Sequence, residues 1–320
     1  MKLQLILGAA AVALAASHDD NDDTPLPVIL WHGLGDDATG EGVLQVGELA
    51  DEINPGTFFY PINLSKDGAS SDRSETFFGN VSDQVSRVCE TLAAHPILST
   101  APAVDAIGFS QGGQFLRGYI ERCNKPPVRS LVTFGSQHNG ITEFKDCAPS
   151  DFLCKGAMAV LRYNVWGSYA QSSIVPAQYY RPTEDYNSYL ESSSFLADIN
   201  NERKDKNAQY KKNLAGLTKF VMYQFANDTV VIPKESSWFD EIVDGERVVL
   251  RKRNIYREDW IGLRELDQKG ALVFKSIVGE HMRIGEETLR DAIKSYFGPM
   301  NRQFDAQEPA VSEDDIVDEL

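Results

Sequence analysis

The stretch Val104-Asp-Ala-Ile-Gly-Phe-Ser110-Gln-Gly-Gly-Gln-Phe-Leu-Arg-Gly-Tyr-Ile-Glu-Arg-Cys123 changes its hydrophobic period halfway along. Val104 to Phe109 is an apolar run of strand length. Beyond Ser110, residues Phe115, Leu116, Tyr119, Ile120 and Cys123 recur at helical spacing. The turn between them, Gly108-Phe-Ser-Gln-Gly112, matches Gly-x-Ser-x-Gly in the strand-to-helix setting that the pattern requires. A serine there is thrust out at the sheet edge, and the flanking glycines let backbones approach closely. The helix that follows offers the Gln111 amide, at its positive dipole end, to a developing oxyanion. The plain alternative is a glycine-rich turn that happens to hold a serine.

Working outward, Pro27–Trp31, Ser130–Phe134, Lys219–Phe225 and Ala271–Val278 read as further strands, and residues 80–94 carry Val81, Val85, Val88, Cys89 and Leu92 at helical spacing. Strands that are apolar on both faces and alternate with helices predict an α/β fold, a mainly parallel central sheet flanked by helices. Residues 141 to about 215 break the rhythm. Seven of the twelve tyrosines lie between Tyr163 and Tyr210, which predicts a helical, aromatic-rich insertion between two sheet strands. Most of these aromatics are expected simply to pack the insertion onto the sheet.

A serine hydroxyl needs a base, and the chain has five histidines. In an α/β hydrolase the order is serine, acid, histidine, with the base after the final strand. His281, in Gly279-Glu-His-Met282, is the only histidine downstream of a plausible acid. His138 is its rival. Asp228 follows the Lys219–Phe225 strand directly, where it can accept from the imidazole Nδ1–H and fix the tautomer. Asp240, Glu241 and Asp244 are the alternatives. The glycine loop His32-Gly-Leu-Gly-Asp36 is expected to supply a second oxyanion donor, the Leu34 amide.

The chain has 320 residues, 42 % hydrophobic and 24 % charged, with a formal net charge of -16. That supports a sizeable core and excludes collagen-like or wholly disordered classes. Its acidity argues against nucleic acid as a partner, because a phosphate-backbone binder needs a basic face. Residues 1–16 combine Lys2, an apolar stretch from Leu3 to Leu14 and small residues at the end, which describes a cleaved signal peptide. No transmembrane segment is expected, since that run is shorter than a bilayer needs. The hydrolase domain is expected over 25–300. Phe304 to Leu320 holds seven acids and no Lys or Arg, so 301–320 reads as an acidic disordered tail. Its last residues, Val317-Asp-Glu-Leu320, are a weakened relative of a retention signal and leave retention in the endoplasmic reticulum open beside lysosome, vacuole or secretion.

Entry to the secretory pathway makes the cysteines readable. Four cysteines, Cys89, Cys123, Cys147 and Cys154, allow two disulfides in three connectivities. Cys147 and Cys154 close a short loop easily, which leaves Cys89 with Cys123. Their spacing does not suit zinc, and no metal site is expected. Asn63, Asn80 and Asn227 head glycosylation tripeptides.

The elbow by itself also resembles cutinases and cytosolic acyl-protein thioesterases. The wider set is Trp-His-Gly-Leu-Gly-Asp36, Gly-Phe-Ser-Gln-Gly-Gly-Gln-Phe-Leu-Arg117, Ser-Gln-His-Asn-Gly140, Ser-Phe-Leu-Ala-Asp-Ile-Asn-Asn-Glu-Arg203, Phe-Ala-Asn-Asp-Thr-Val-Val231 and Gly-Glu-His281. Together these resemble the palmitoyl-protein thioesterase 1 family, from about Pro25 to about Gly298. The resemblance implies the α/β-hydrolase fold and removal of long-chain acyl groups from protein cysteines. It also implies Ser110 as nucleophile, Asp228 as acid, His281 as base, the Leu34 and Gln111 amides as oxyanion donors, and no cofactor. Disulfides Cys89–Cys123 and Cys147–Cys154 and a glycan at Asn227 are implied in the same way. A cysteine pair that some relatives carry after the first glycine loop is absent, with Asp37 and Ala38 in that neighbourhood. S-acylated proteins or peptides are the expected substrates, with acyl-CoA a further candidate, and oligomeric state is left open. The competing readings are a secreted carboxylesterase or lipase acting on oxyesters, and a non-catalytic lipid-binding module.

Overall fold

The computed structural model describes residues 23–304, so the expected signal segment, His18 and the tail after Phe304 lie outside the described residues. In chain order the elements are β1 (Val28–Trp31), α1 (Glu41–Ile53), β2 (Phe59–Pro61), α2 (Ala69–Glu75), α3 (Val81–Ala94), β3 (Val104–Phe109), α4 (Gln111–Arg122) and β4 (Val128–Phe134). Five helices follow, α5 (Phe152–Asn164), α6 (Ser168–Ser173), α7 (Tyr186–Ser192), α8 (Leu196–Ile199) and α9 (Ala208–Leu214). The chain then returns to β5 (Lys219–Phe225), a small hairpin of β6 (Glu241–Val243) and β7 (Glu246–Val248), α10 (Asn254–Arg257), α11 (Leu263–Gln268), β8 (Leu272–Ile277) and α12 (Glu286–Tyr296).

Among the described residues, six strands form one sheet in the order β2-β1-β3-β4-β5-β8, and every pairing is parallel. Parallel strands need crossovers, and the intervening helices cover both faces. Side chains alternate accordingly. Val28 and Leu30 of β1, with Ile107 and Phe109 of β3, pack toward α1 and α12, whereas Ile29, Trp31 and Ala106 pack toward α3, α4 and the insertion. This is why the central strands read as continuous apolar runs. β8 is the exception: it is an edge strand, half-buried along most of its length, and it stops at Ile277, leaving Val278 exposed. The short edge strand β2 and helices α1 and α12 complete layers that the sequence reading did not assign.

Helices α5 to α9 occupy the expected insertion between β4 and β5. A buried polar network seats it. Glu202 accepts from Arg181 Nε at 3.2 Å, Tyr186 at 2.7 Å, Tyr189 at 3.0 Å and Asn200 at 2.7 Å. Arg117 of α4 reaches into the same region, donating to Asn200 Oδ1 at 2.7 Å and to the His138 carbonyl at 3.0 Å. Both disulfides of the sequence reading are present, with Cα separations of 6.1 Å for Cys89–Cys123 and 5.7 Å for Cys147–Cys154. The first ties the end of α4 to α3. The second closes the loop that leads into α5.

Glu121 lies wholly buried on α4, with one carboxyl oxygen 3.0 Å from Arg117 and the other without a hydrogen-bond partner. Burial outweighs the attraction of Arg117 and pushes its pKa from 4.5 up to about 8. The folded chain therefore holds a proton there that the unfolded chain releases. The stability this contributes is complete below pH 4.5 and is lost as pH rises through about 8. Glu121→Gln, which keeps shape and acceptor, is expected to flatten the decline of Tm across that window. Thermal melts at a series of pH values check it, and an unchanged slope contradicts the assignment.

Candidate active site

All six sheet strands point the same way, so the loops after β1, β3, β4, β5 and β8 gather at one edge. Ser110 sits at the sharpest of these turns, with φ 51° and ψ -125°. That backbone is strained for a residue with a Cβ, and tight packing holds it there. A Cβ on Gly108 would lie 2.1 Å from the Gly113 Cα, and one on Gly33 would lie 3.1 Å from the Ser110 Cβ. The elbow is wedged between the glycine loop after β1 and the first turn of α4.

Two other loops bring their side chains to this serine. His281 Nε2 lies 3.0 Å from Ser110 Oγ, and His281 Nδ1 lies 2.7 Å from Asp228 Oδ2. The other carboxylate oxygen of Asp228 accepts from the Val230 amide at 2.8 Å and the Val231 amide at 2.9 Å. The carboxylate is therefore fixed by its own turn before it meets the imidazole. Its side chain is inaccessible to solvent, while that of His281 is 12 % exposed. In this series the imidazole can take a proton from the hydroxyl while the carboxylate stabilises the imidazolium. Among the described residues, the amides of Leu34 and Gln111 make no hydrogen bond, as donors reserved for an oxyanion would.

The remaining candidates have other occupations. His138 is fully buried, 3.0 Å from Thr133 Oγ1 through Nε2 and stacked on Phe239. Burial, reinforced by Arg117, holds its pKa well below the ordinary value, so it stays neutral and structural. His32 is buried with Nε2 3.2 Å from Asp72 Oδ2. Burial alone would raise the Asp72 pKa, but His32 and the Ala38 and Leu64 amides outweigh it and lower the value. This pair braces the loop that carries Leu34. His95 packs against Phe58 and Tyr60. Asp240 accepts from Arg247 and the Leu250 amide, and Glu241 pairs with Arg181 and Arg253. Asp244 sits in the β6–β7 turn at φ 52°.

A cavity of about 320 Å³ opens beside Ser110. Leu34 and Phe77 line one part of it, and the insertion supplies Ile141, Phe144, Ala157 and Met158. The Cys147–Cys154 disulfide forms part of the same wall. Two contributors are absent from the sequence reading. Tyr179, also in the wall, donates to Gln111 Oε1 at 3.1 Å while Gln111 Nε2 donates to the Thr76 carbonyl at 3.2 Å, which stitches the elbow to the insertion. Gly135, at φ 56°, leaves the space in which the imidazole stands, and its only mark in the sequence is a glycine ending the β4 run. Of the glycosylation tripeptides, Asn63 and Asn227 are exposed, whereas Asn80 caps α3 through its side chain.

The chain matches the Palmitoyl protein thioesterase family over residues 27–281. Palmitoyl-protein thioesterase 1 of Caenorhabditis elegans is 33 % identical over 291 residues, covering 89 % of this chain and 96 % of that protein. Palmitoyl-protein thioesterase 3 of Dictyostelium discoideum is 31 % identical over 299 residues, covering 92 % and 94 %. Lysosomal thioesterase PPT2-B of Xenopus laevis is 28 % identical over 267 residues, covering 81 % and 87 %.

A Cβ on Gly135 would meet the Phe225 ring at 2.8 Å and His281 Cε1 at 3.0 Å. Gly135→Ala is expected to push the imidazole off the Ser110–Asp228 line and lower kcat by about 10- to 100-fold with KM little changed. Steady-state kinetics on an activated acyl ester, with circular dichroism to check folding, measure this.

Proposed function

This chain belongs to the palmitoyl protein thioesterase family, and from that premise we propose that it hydrolyses the thioester joining long-chain acyl groups to protein cysteines, with Ser110, His281 and Asp228 as its catalytic residues. The observation that carries the reading is the unbroken Ser110–His281–Asp228 series at the mouth of an apolar cavity. His281 accepts the Ser110 proton as the hydroxyl oxygen attacks the thioester carbonyl. The Leu34 and Gln111 amides receive the negative charge that develops on the carbonyl oxygen. As the tetrahedral adduct collapses, the carbon–sulfur bond breaks and the cysteine sulfur leaves, protonated by His281. An acyl-Ser110 ester remains. Water then gives its proton to His281, attacks that ester and releases the fatty acid, and the proton returns to Ser110.

The cavity accounts for a long acyl chain. Each buried methylene contributes about 0.8 kcal/mol, so an apolar wall of Phe77, Ile141, Phe144, Ala157 and Met158 favours long chains over short ones. Acyl-CoA carries the same thioester and fits the same chemistry. Two disulfides, the exposed Asn63 and Asn227 tripeptides and the signal-like residues 1–16 support passage through the secretory pathway toward a lysosome-like compartment. No helix among the described residues is long and apolar enough to cross a membrane.

Turnover of a palmitoyl-cysteine peptide is expected to fall at least about 10⁴-fold in Ser110→Ala and about 10³- to 10⁴-fold in Asp228→Asn, with both variants folded. Parallel assays on a matched oxyester separate thioesterase from lipase: a strong oxyester preference, or failure of Ser110 to label with a fluorophosphonate, overturns the reading.

A further inference from the structure

The two faces of α5 meet different surroundings. Its inner face buries Ala157 and Leu161, and Cys154, Ala157 and Met158 line the cavity beside Ser110. On the outside, Phe152 is 80 % and Tyr163 92 % exposed, and Tyr169 on the adjoining α6 is 64 % exposed. Single apolar residues on a surface are ordinary. Three aromatic rings within 18 residues, two on α5, which roofs an apolar cavity, and one on the adjoining α6, form a concentration found nowhere else among the exposed large hydrophobics of the described residues.

The same segment is free of acids, as residues 122–142 and 206–227 also are, and it alone of these carries the exposed aromatic rings. Residues 152–183 contain Lys155, Arg162 and Arg181 and no acid, in a chain with 47 Asp and Glu. Arg181 is buried in the Glu202 network, so Lys155 and Arg162 are the cations at the surface. The Lys155 ammonium stands 5.7 Å from the Phe152 ring centre, and Arg162 reaches Asp146 at 2.9 Å with both partners well exposed. Aromatic rings beside cations suit the headgroup zone of a bilayer, where rings enter the acyl boundary and cations meet anionic headgroups. An anionic surface repels the acidic remainder of the body, which orients this face toward it.

From this we infer that the outer face of α5 and α6 is a docking surface for an anionic phospholipid bilayer. The docking goes beyond the proposed hydrolysis and does not depend on it. Its consequence does rest on that reading: the roof of the acyl cavity lies against the layer that holds the acyl chain, so the chain passes from lipid into the wall of Ile141, Phe144 and Met158 with little exposure to water.

Vesicle co-sedimentation tests the docking without any turnover. Wild type is expected to sediment with phosphatidylcholine vesicles that contain phosphatidylserine, weakly with phosphatidylcholine alone, and less as salt is raised. The triple variant Phe152→Ser, Tyr163→Ser, Tyr169→Ser is expected to lose about tenfold or more in partitioning, and Lys155→Glu about threefold, while turnover of a soluble acyl-cysteine peptide is unchanged. If the triple variant folds poorly, Tyr163→Ser alone, at a nearly free side chain, is expected to weaken binding by about threefold. Equal partitioning of wild type and variants overturns the inference. So does absence of vesicle binding by wild type, including the case in which this face instead joins two copies of the chain and its substitution yields a monomer. Binding without turnover leaves the docking intact and counts only against the hydrolase reading.

Discussion

Backbone meets backbone where β1, β3 and α4 come together, and the site depends on that contact. A Cβ on Gly112 would lie 2.1 Å from the Trp31 carbonyl oxygen, and one on Gly113 would lie 2.1 Å from Ser136 Oγ. No side chain fits at either place. Because α4 lies so close to the strands, the chain must reverse within one residue after Phe109. Ser110 absorbs the reversal in a conformation that is costly for a residue with a side chain. The same contact that strains the serine also aims its hydroxyl outward and leaves the Gln111 amide at the start of a helix, unclaimed by any acceptor among the described residues.

Rigid support surrounds this point on every side. Asp228 is held by two amides of its own turn, His281 stands in the space over Gly135, and the His32–Asp72 pair braces the loop that bears Leu34. Fixing each group in advance means that little reorganisation accompanies the reaction. The cost falls elsewhere, in buried charge. Glu202, Arg181 and Arg117 are almost wholly buried, and each is tolerable only because several partners satisfy it at once. That network fastens the insertion to the sheet, and the insertion in turn supplies most of the apolar wall beside the serine.

The insertion consequently has three layers of function in one short stretch of chain. Its deepest residues, such as Tyr189 and Leu196, belong to the core. Its middle layer, with Phe144, Ala157 and Met158, faces the cavity. The outer layer, with Phe152 and Tyr163, faces solvent. Aromatic content gives no hint of this sorting, because a buried Tyr189 and an exposed Tyr163 are the same letter.

Local sequence determined a good deal by itself. The Lys219–Phe225 strand, the helix after Ser110 and the insertion between β4 and β5 are all legible from period and punctuation, since strand and helix patterns depend on near neighbours. The strand-to-helix turn at Ser110 is legible for the same reason, since the Gly-x-Ser-x-Gly pattern spans only five residues. Strand β2 carries little periodic signal in three half-buried residues, whereas helix α1, with Val43, Val46, Leu49 and Ala50 buried at helical spacing, is legible in the sequence and is an omission of the sequence reading. Chain order singled out Asp228 and His281, but only the tertiary structure decided that they meet Ser110. His281 lies 171 residues from Ser110 and 53 from Asp228, and nothing local to any of the three marks the others as partners. A parallel sheet, by turning every strand the same way, brings their loops to one edge, and it is that shared direction, not the residues in between, that sets Nε2 3.0 Å from the hydroxyl.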